Sequence, residues 1–282
     1  MRVLVTGAGG QLGREVVDVF SVGGRHEVLA CDRASLDVGD RDACLQVIGT
    51  FAPDTVVHAA AWTDVDGCET DPDRAGRVNA LGTRHVAEAA RLVGARICYL
   101  STDYVFDGAG DRAYHEWDDT NPLSVYGRSK LGGEAALGPD DTVVRTSWVC
   151  GRHGRNFVKT VLRVVSTGQE MQVVDDQHGC PSFADDLAGM IHRLVVGRRP
   201  GLFHVTNQGP TTWYRFAADI AAAAGLDPAL VTPITTAELR PARPAPRPAN
   251  SVLDNAALRL SGVTLLDDHH VPMERLVKEL IA

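Results

Sequence analysis

The chain of 282 residues has no run of about 18 apolar residues, so no membrane-spanning helix is expected. Nor does its opening, MRVLVTGAGG, read as a signal peptide: the apolar run Val3–Val5 is too short and glycines follow at once. Positive charge is in deficit. Lys and Arg number 28 against 36 Asp and Glu, a formal net charge of −8. A nucleic-acid binder wants a strongly basic face, so that class is not expected, although a local basic pocket for a small anion remains open. Paired cysteines are missing too. Cys31, Cys44, Cys68, Cys98, Cys150 and Cys180 are scattered, with no C-x-x-C pair and no His/Cys cluster at zinc spacing. Six reduced thiols in a cytoplasmic protein are expected, and no metal site. Internal repeats are absent. The one biased tract is RPARPAPRP at Arg240–Pro248, which its prolines hold extended.

What is present is an alternation of short apolar runs and longer amphipathic segments. Val3–Thr6, Glu27–Cys31, Thr55–His58, Ile97–Ser101 and Val143–Ser147 read as buried strands, being β-branched and too short for helices. Helical patterns lie between them at Leu12–Phe20, Arg41–Thr50, Asp73–Val93 and Tyr126–Leu137. That rhythm predicts an α/β fold with a doubly wound parallel sheet of Rossmann type. The division expected is a dinucleotide-binding domain over 1–150 and a smaller α/β substrate-binding lobe over 151–282, with a soft boundary. In the lobe, Phe157–Thr167, Ser182–Val196 and Thr212–Ala224 read as helices and Leu202–Thr206 as a strand.

The first strand runs directly into Gly7-Ala8-Gly9-Gly10-Gln11-Leu12-Gly13. Gly7 can make a tight turn, Gly10 can let the backbone approach a pyrophosphate, and Gly13 can let a helix sit close on the sheet. At the first strand-to-helix junction this pattern points to a dinucleotide. Asp32 follows the second strand, where a carboxylate binds the adenosine ribose hydroxyls; Arg33, next to it, could instead take a 2′-phosphate. The choice between NADH and NADPH therefore stays open. Asp37 and Val38 are candidates for the adenine side. Ala60, Ala61 and Thr63 belong to a segment of mostly small residues closing the third strand, across which a cofactor could lie.

Ser101-Thr102-Asp103 ends the fourth strand, and Tyr126 and Lys130 follow at helical i, i+4 spacing. A phenol of pKa near 10 is a poor acid at neutral pH, and a neighbouring ammonium lowers it. The phenol can then protonate a carbonyl oxygen as hydride reaches carbon, with Thr102 bonded to the same oxygen.

TGAGGQLG, AAWTDVD, STDYVFDG, VYGRSK and RTSWV together resemble the extended short-chain dehydrogenase/reductases. DDQHGCPSF and RPANSVLD extend the likeness through the second half, closest to the dTDP-4-dehydrorhamnose reductase group. The resemblance implies NAD(P)H-dependent reduction of the C4 ketone of dTDP-4-dehydro-L-rhamnose to dTDP-L-rhamnose. It implies Tyr126 as proton donor, Lys130 on the nicotinamide ribose, and Thr102 and Asp103 on the sugar. Trp148 would line the sugar pocket, Arg247 would meet the diphosphate, and the loop of Gln177, Gly179, Pro181 and Ser182 would lie nearby. His58, Trp62 and Cys150 depart from the group's usual residues. Some relatives form metal-linked dimers through a glutamate in the first helix. Glu15 stands at that place but reads as a solvated helix residue, and a homodimer stays open. His269-His270 reads as surface. The rivals are another nucleotide-sugar ketoreductase or epimerase and a non-catalytic nucleotide-sensing subunit. A dehydratase would need a further acid where Tyr104 stands.

Overall fold

A computed structural model describes all 282 residues. The five apolar runs form parallel strands β1 (Arg2–Thr6), β2 (Glu27–Cys31), β3 (Thr55–His58), β4 (Arg96–Thr102) and β5 (Thr142–Thr146). A sixth strand, Gly201–His204, joins the sheet beside β5. The order across the sheet is β2, β1, β3, β4, β5 and then Gly201–His204. It reverses between β1 and β3, and in such sheets ligands bind beyond the C-terminal strand ends at the reversal. The inner strands are buried almost throughout, because helices cover both faces.

Those helices are α1 (Gln11–Ser21) after β1, α2 (Arg41–Phe51) after β2, and α3 (Val65–Thr70), α4 (Pro72–Ala75) and α5 (Gly82–Leu92) between β3 and β4. Helix α6 (Val125–Glu134) precedes β5. After β5 come α7 (Phe157–Val165), α8 (Ala184–Val196), α9 (Trp213–Ala223), α10 (Ala256–Leu260) and α11 (His270–Ile281). Helices α1 and α8 lie together on one face of the sheet, α2 and α5 on the other.

The single helix expected over Asp73–Val93 is interrupted by a π-helical turn at Gly76–Leu81. The turn seats Asn79, whose amide bonds the backbone of Trp62 on both sides and the Ser129 hydroxyl. Hydrophobic period cannot reveal such an insertion, because the apolar face continues through it.

The chain returns to the sheet after leaving it. Leu187 and Ile191 of α8 and Phe203 of the sixth strand share a core with Val3, Val16 and Val57. Helices α7, α9 and α11 enclose a second core around Val161, Phe216, Ile220 and Met273, with Met171–Val174 paired to Val231–Ile234 beside it. No helix is long and apolar enough to cross a membrane.

Candidate functional site

The glycine loop is shaped by contacts that no side chain could share. Gly7 has φ +66°, and a Cβ there would lie 2.6 Å from Ala60 N. A Cβ on Gly13 would lie 2.2 Å from Gly7 O, so α1 presses on the loop. Helix α1 starts behind Gly10 with no side chain bonded to its first turn. Its bare N–H groups and positive dipole end are open to an anion. Beside them is a cleft of about 520 Å³, lined by Gly7, Gly10, Asp32, Arg33, Asp37, Val38, Ala60 and Ala61. An uncapped helix start, a side-chain-free loop and an acid at the cleft wall fit a nicotinamide dinucleotide. The Asp32 carboxylate accepts from Ser35 N, Ala34 N and the Ser35 hydroxyl. The Ser35 bonds chiefly hold it below the usual carboxylate range.

Three residues expected at the cofactor turn their side chains elsewhere, though the first-turn N–H groups of Gln11 and Leu12 stay open. Gln11 donates from Nε2 to Val149 O at 2.8 Å and accepts from Asn156, so its side chain ties the loop after β5 to α1. Leu12 is packed against the sheet core. Thr63 lines a second cavity.

At the end of β4, Thr102 donates to Asp103 Oδ1 at 3.0 Å and accepts from Tyr104 N. Ser124 caps α6 by accepting from Gly127 N at 3.0 Å. The absence of a side chain at Gly127, where a Cβ would stand 2.2 Å from Tyr104 O, brings that helix against the strand end. Tyr126 is thereby buried beside Thr102, with its ring edge-on to Tyr104 at 5.6 Å. Burial pushes the phenol above its ordinary value, with the nearby Thr102 hydroxyl opposing. That differs from the lowered value expected from a neighbouring ammonium. The reason is where Lys130 points: Nζ donates to Leu100 O at 2.7 Å and lies 4.2 Å over the Tyr99 ring. Burial pulls Lys130 down to about 7, with Glu134 opposing. Burial also raises Asp103 to about 6, and its Oδ2 is buried without a partner. Below them Glu134 accepts from Ser101 and takes Arg145 in a bidentate, buried pair. His58 bonds Thr6 at 2.7 Å and Thr83 at 3.1 Å, and burial lowers it to about 3, so it is a neutral structural residue.

The second cavity, about 550 Å³, is walled by residues from both halves, among them Thr63, Asp66, Tyr104, Gln177, Trp213, Arg243 and Arg247. Arg247 is mostly buried and grips Asp66 through both terminal nitrogens, at 2.6 and 2.8 Å. Arg240 instead bonds nearby backbone carbonyls and stays exposed. Trp148 has φ +48° and stacks on Trp213 at 3.6 Å. A Cβ on Gly179 would strike its indole at 2.5 Å, so that glycine makes room for it. Trp213, Asn156 and Phe157 line the cavity and were not singled out in the sequence, since no short motif marks them.

Two surface expectations are corrected. Glu15 is 4% exposed, and its carboxylate takes Arg152 at 2.8 and 2.9 Å, because the loop after β5 folds over α1. His269 is 1% exposed, since its ring is tucked under Phe216.

Known proteins share this architecture. The family model described as "RmlD substrate binding domain" matches residues 1–281. The dTDP-4-dehydrorhamnose reductase of Streptomyces griseus is 43% identical, covering 93% of this chain and 88% of its own. A crystal structure of a dTDP-4-dehydrorhamnose reductase from Clostridium acetobutylicum superposes with a TM-score of 0.96 at 39% identity, covering all of both chains. Another from Bacillus anthracis, in complex with NADP, gives 0.92 at 36% identity over 99% of each chain.

Proposed function

The chain belongs to the RmlD substrate binding domain family, and from that membership we infer that it is an NAD(P)H-dependent oxidoreductase reducing the ketone of a dTDP-sugar. The substrate this supports best is dTDP-4-dehydro-L-rhamnose, reduced at C4 to dTDP-L-rhamnose. The observation that carries the reading is the buried Tyr126 phenol brought beside Thr102 at the end of β4, where Gly127 lets α6 close on Tyr104. A nicotinamide bound in the cleft beside the glycine loop supplies the hydride.

This chain's residues then do four things. The α1 N-terminus and the bare glycine loop hold the pyrophosphate. Tyr126 gives its phenolic proton to the carbonyl oxygen. Burial keeps the phenol protonated at neutral pH, and it yields its proton only as hydride turns the carbonyl oxygen into a far more basic alkoxide. Lys130, held by Leu100 O, offers an amine to the nicotinamide ribose. Asp103 orients the sugar beside Thr102, Trp213 walls the second cavity with Trp148 stacked on it, and Arg247 presents a guanidinium to the diphosphate. The six buried free thiols support a reducing compartment such as the cytoplasm.

The test is absorbance of reduced nicotinamide with NADPH or NADH and dTDP-4-dehydro-L-rhamnose. Substrate-dependent oxidation is expected from the wild type. Tyr126→Phe should keep cofactor binding and lose turnover by roughly 100-fold or more. Near-wild-type turnover in that variant would remove Tyr126 as donor. No oxidation despite cofactor binding would point to a different sugar or to an epimerase.

A further inference from the structure

Away from both cavities, Asp219 of α9 meets His269 and His270 at the start of α11. One ligand atom from each lies within 4.8 Å of the others. His270 Nε2 stands 3.4 Å from Asp219 Oδ2.

The two imidazoles are oriented alike. His270 Nδ1 faces Asp268 Oδ1 at 2.6 Å, and His269 Nδ1 faces Gln208 O at 3.2 Å. His269 Nδ1 therefore carries the proton and its Nε2 keeps a lone pair, whereas His270 stands between the Asp268 and Asp219 carboxylates, so an ion would take the place of its Nε2 proton. In metal sites a ligating histidine is held in this way, its far N–H on a carboxylate or a backbone carbonyl. His269 adds an independent sign. Its side chain is almost fully buried, yet its Nε2 has no hydrogen-bond partner. A buried ring nitrogen without a partner is costly and calls for an explanation.

The pair is also rigidly presented. Gln208 and Asp268 are bridged, and His269 N donates to Gln208 O at 2.8 Å. Gly209 has φ +86°, and a Cβ there would come within 2.6 Å of Asp268 Oδ2 and 2.9 Å of His269 Nδ1. The loop can close on the histidines because that position has no side chain.

We propose that Asp219, His269 and His270 bind a divalent first-row transition ion of the zinc type, with Asp268 and Gln208 as the orienting shell. Two imidazoles and one carboxylate suit zinc, cobalt or nickel better than the all-oxygen cages of calcium or magnesium. Bonds of about 2.0–2.2 Å need the three ligand atoms closer together than they stand. Asp219 and His270, both partly exposed, supply that movement. The ion would pin α11 to α9, whose first residue, Trp213, lines the second cavity.

The experiment uses the untagged full chain, stripped with a chelator and titrated with zinc chloride by calorimetry, with cobalt chloride followed by visible absorption. One equivalent of zinc, cobalt bands of tetrahedral intensity, and a rise in Tm of about 5 °C at a hundredfold excess over Kd are expected. Asp219→Asn and His270→Ala, at partly exposed positions that the fold does not need, should each weaken binding at least tenfold. Asp268→Asn, which leaves every ligand in place, should weaken it by about 10-fold or more through lost orientation. Absence of saturable binding at micromolar zinc, or unchanged binding in Asp219→Asn and His270→Ala, would overturn the proposal and leave an Asp–His ion pair.

Discussion

Asp103 and Lys130 are two buried ionisable groups whose titration has moved toward neutrality from opposite sides, to about 6 and about 7. For Asp103 the folded value lies above the unfolded one. Between the two values the native chain keeps a proton that the unfolded chain has released, so stability falls as pH rises through that window. On this account Asp103 removes on the order of 1 kcal/mol between about pH 5 and about pH 7. Asp103→Asn should flatten that part of the stability curve, as urea unfolding across the range would reveal. An unchanged slope would mean that Asp103 titrates normally. At this scale the sequence identified the residue types, since Thr102, Tyr126 and Lys130 stand at strand-end and helical spacing. It could not say that Lys130 turns to Leu100 O, because the direction of a side chain is set by carbonyls from another element.

The strand–loop–helix unit of β1, the glycine loop and α1 depends on closeness rather than on any one bond. The first helical turn has no cap, which leaves its donors for a ligand. Gly13→Ala forces a methyl group toward Gly7 O, a contact of 2.2 Å that only backbone movement can relieve. That substitution should raise the NADPH dissociation constant at least tenfold and lower Tm, overpacking costing about 1–3 kcal/mol. Fluorescence titration of NADPH checks it, and wild-type affinity would refute the close-packing account. This unit was legible in the sequence, because glycine spacing, a β-branched run and an amphipathic run are all local. The π-helical turn that seats Asn79 was not, and neither were the two-residue strands such as Ser182–Phe183, which only tertiary pairing creates.

Across the whole molecule, Arg247 and Asp66 join segments 181 residues apart at the wall of the second cavity. The pair is partly buried, so removing one partner leaves a charge poorly solvated. Arg247→Gln should raise KM for the dTDP-sugar about tenfold, leave kcat within a few-fold and lower Tm, the loss of a charged hydrogen-bonded contact being worth about 1.5–3 kcal/mol. Steady-state kinetics would separate the two parameters. An equal fall in kcat and kcat/KM would place Arg247 in the chemical step instead.

By itself the sequence determined the parallel sheet, the cofactor loop and the residue types of the reactive triad. Each is written in period, spacing or glycine placement within one or two elements. The tertiary structure decided what depends on distant partners. It placed Gly201–His204 beside β5, buried Glu15 against Arg152, gave Arg247 to Asp66, stacked Trp148 on Trp213 and sank His269 beneath Phe216. Local pattern records which face of an element is apolar. It does not record which distant residue will lie against that face, and that choice comes from filling a dense core while pairing every buried charge.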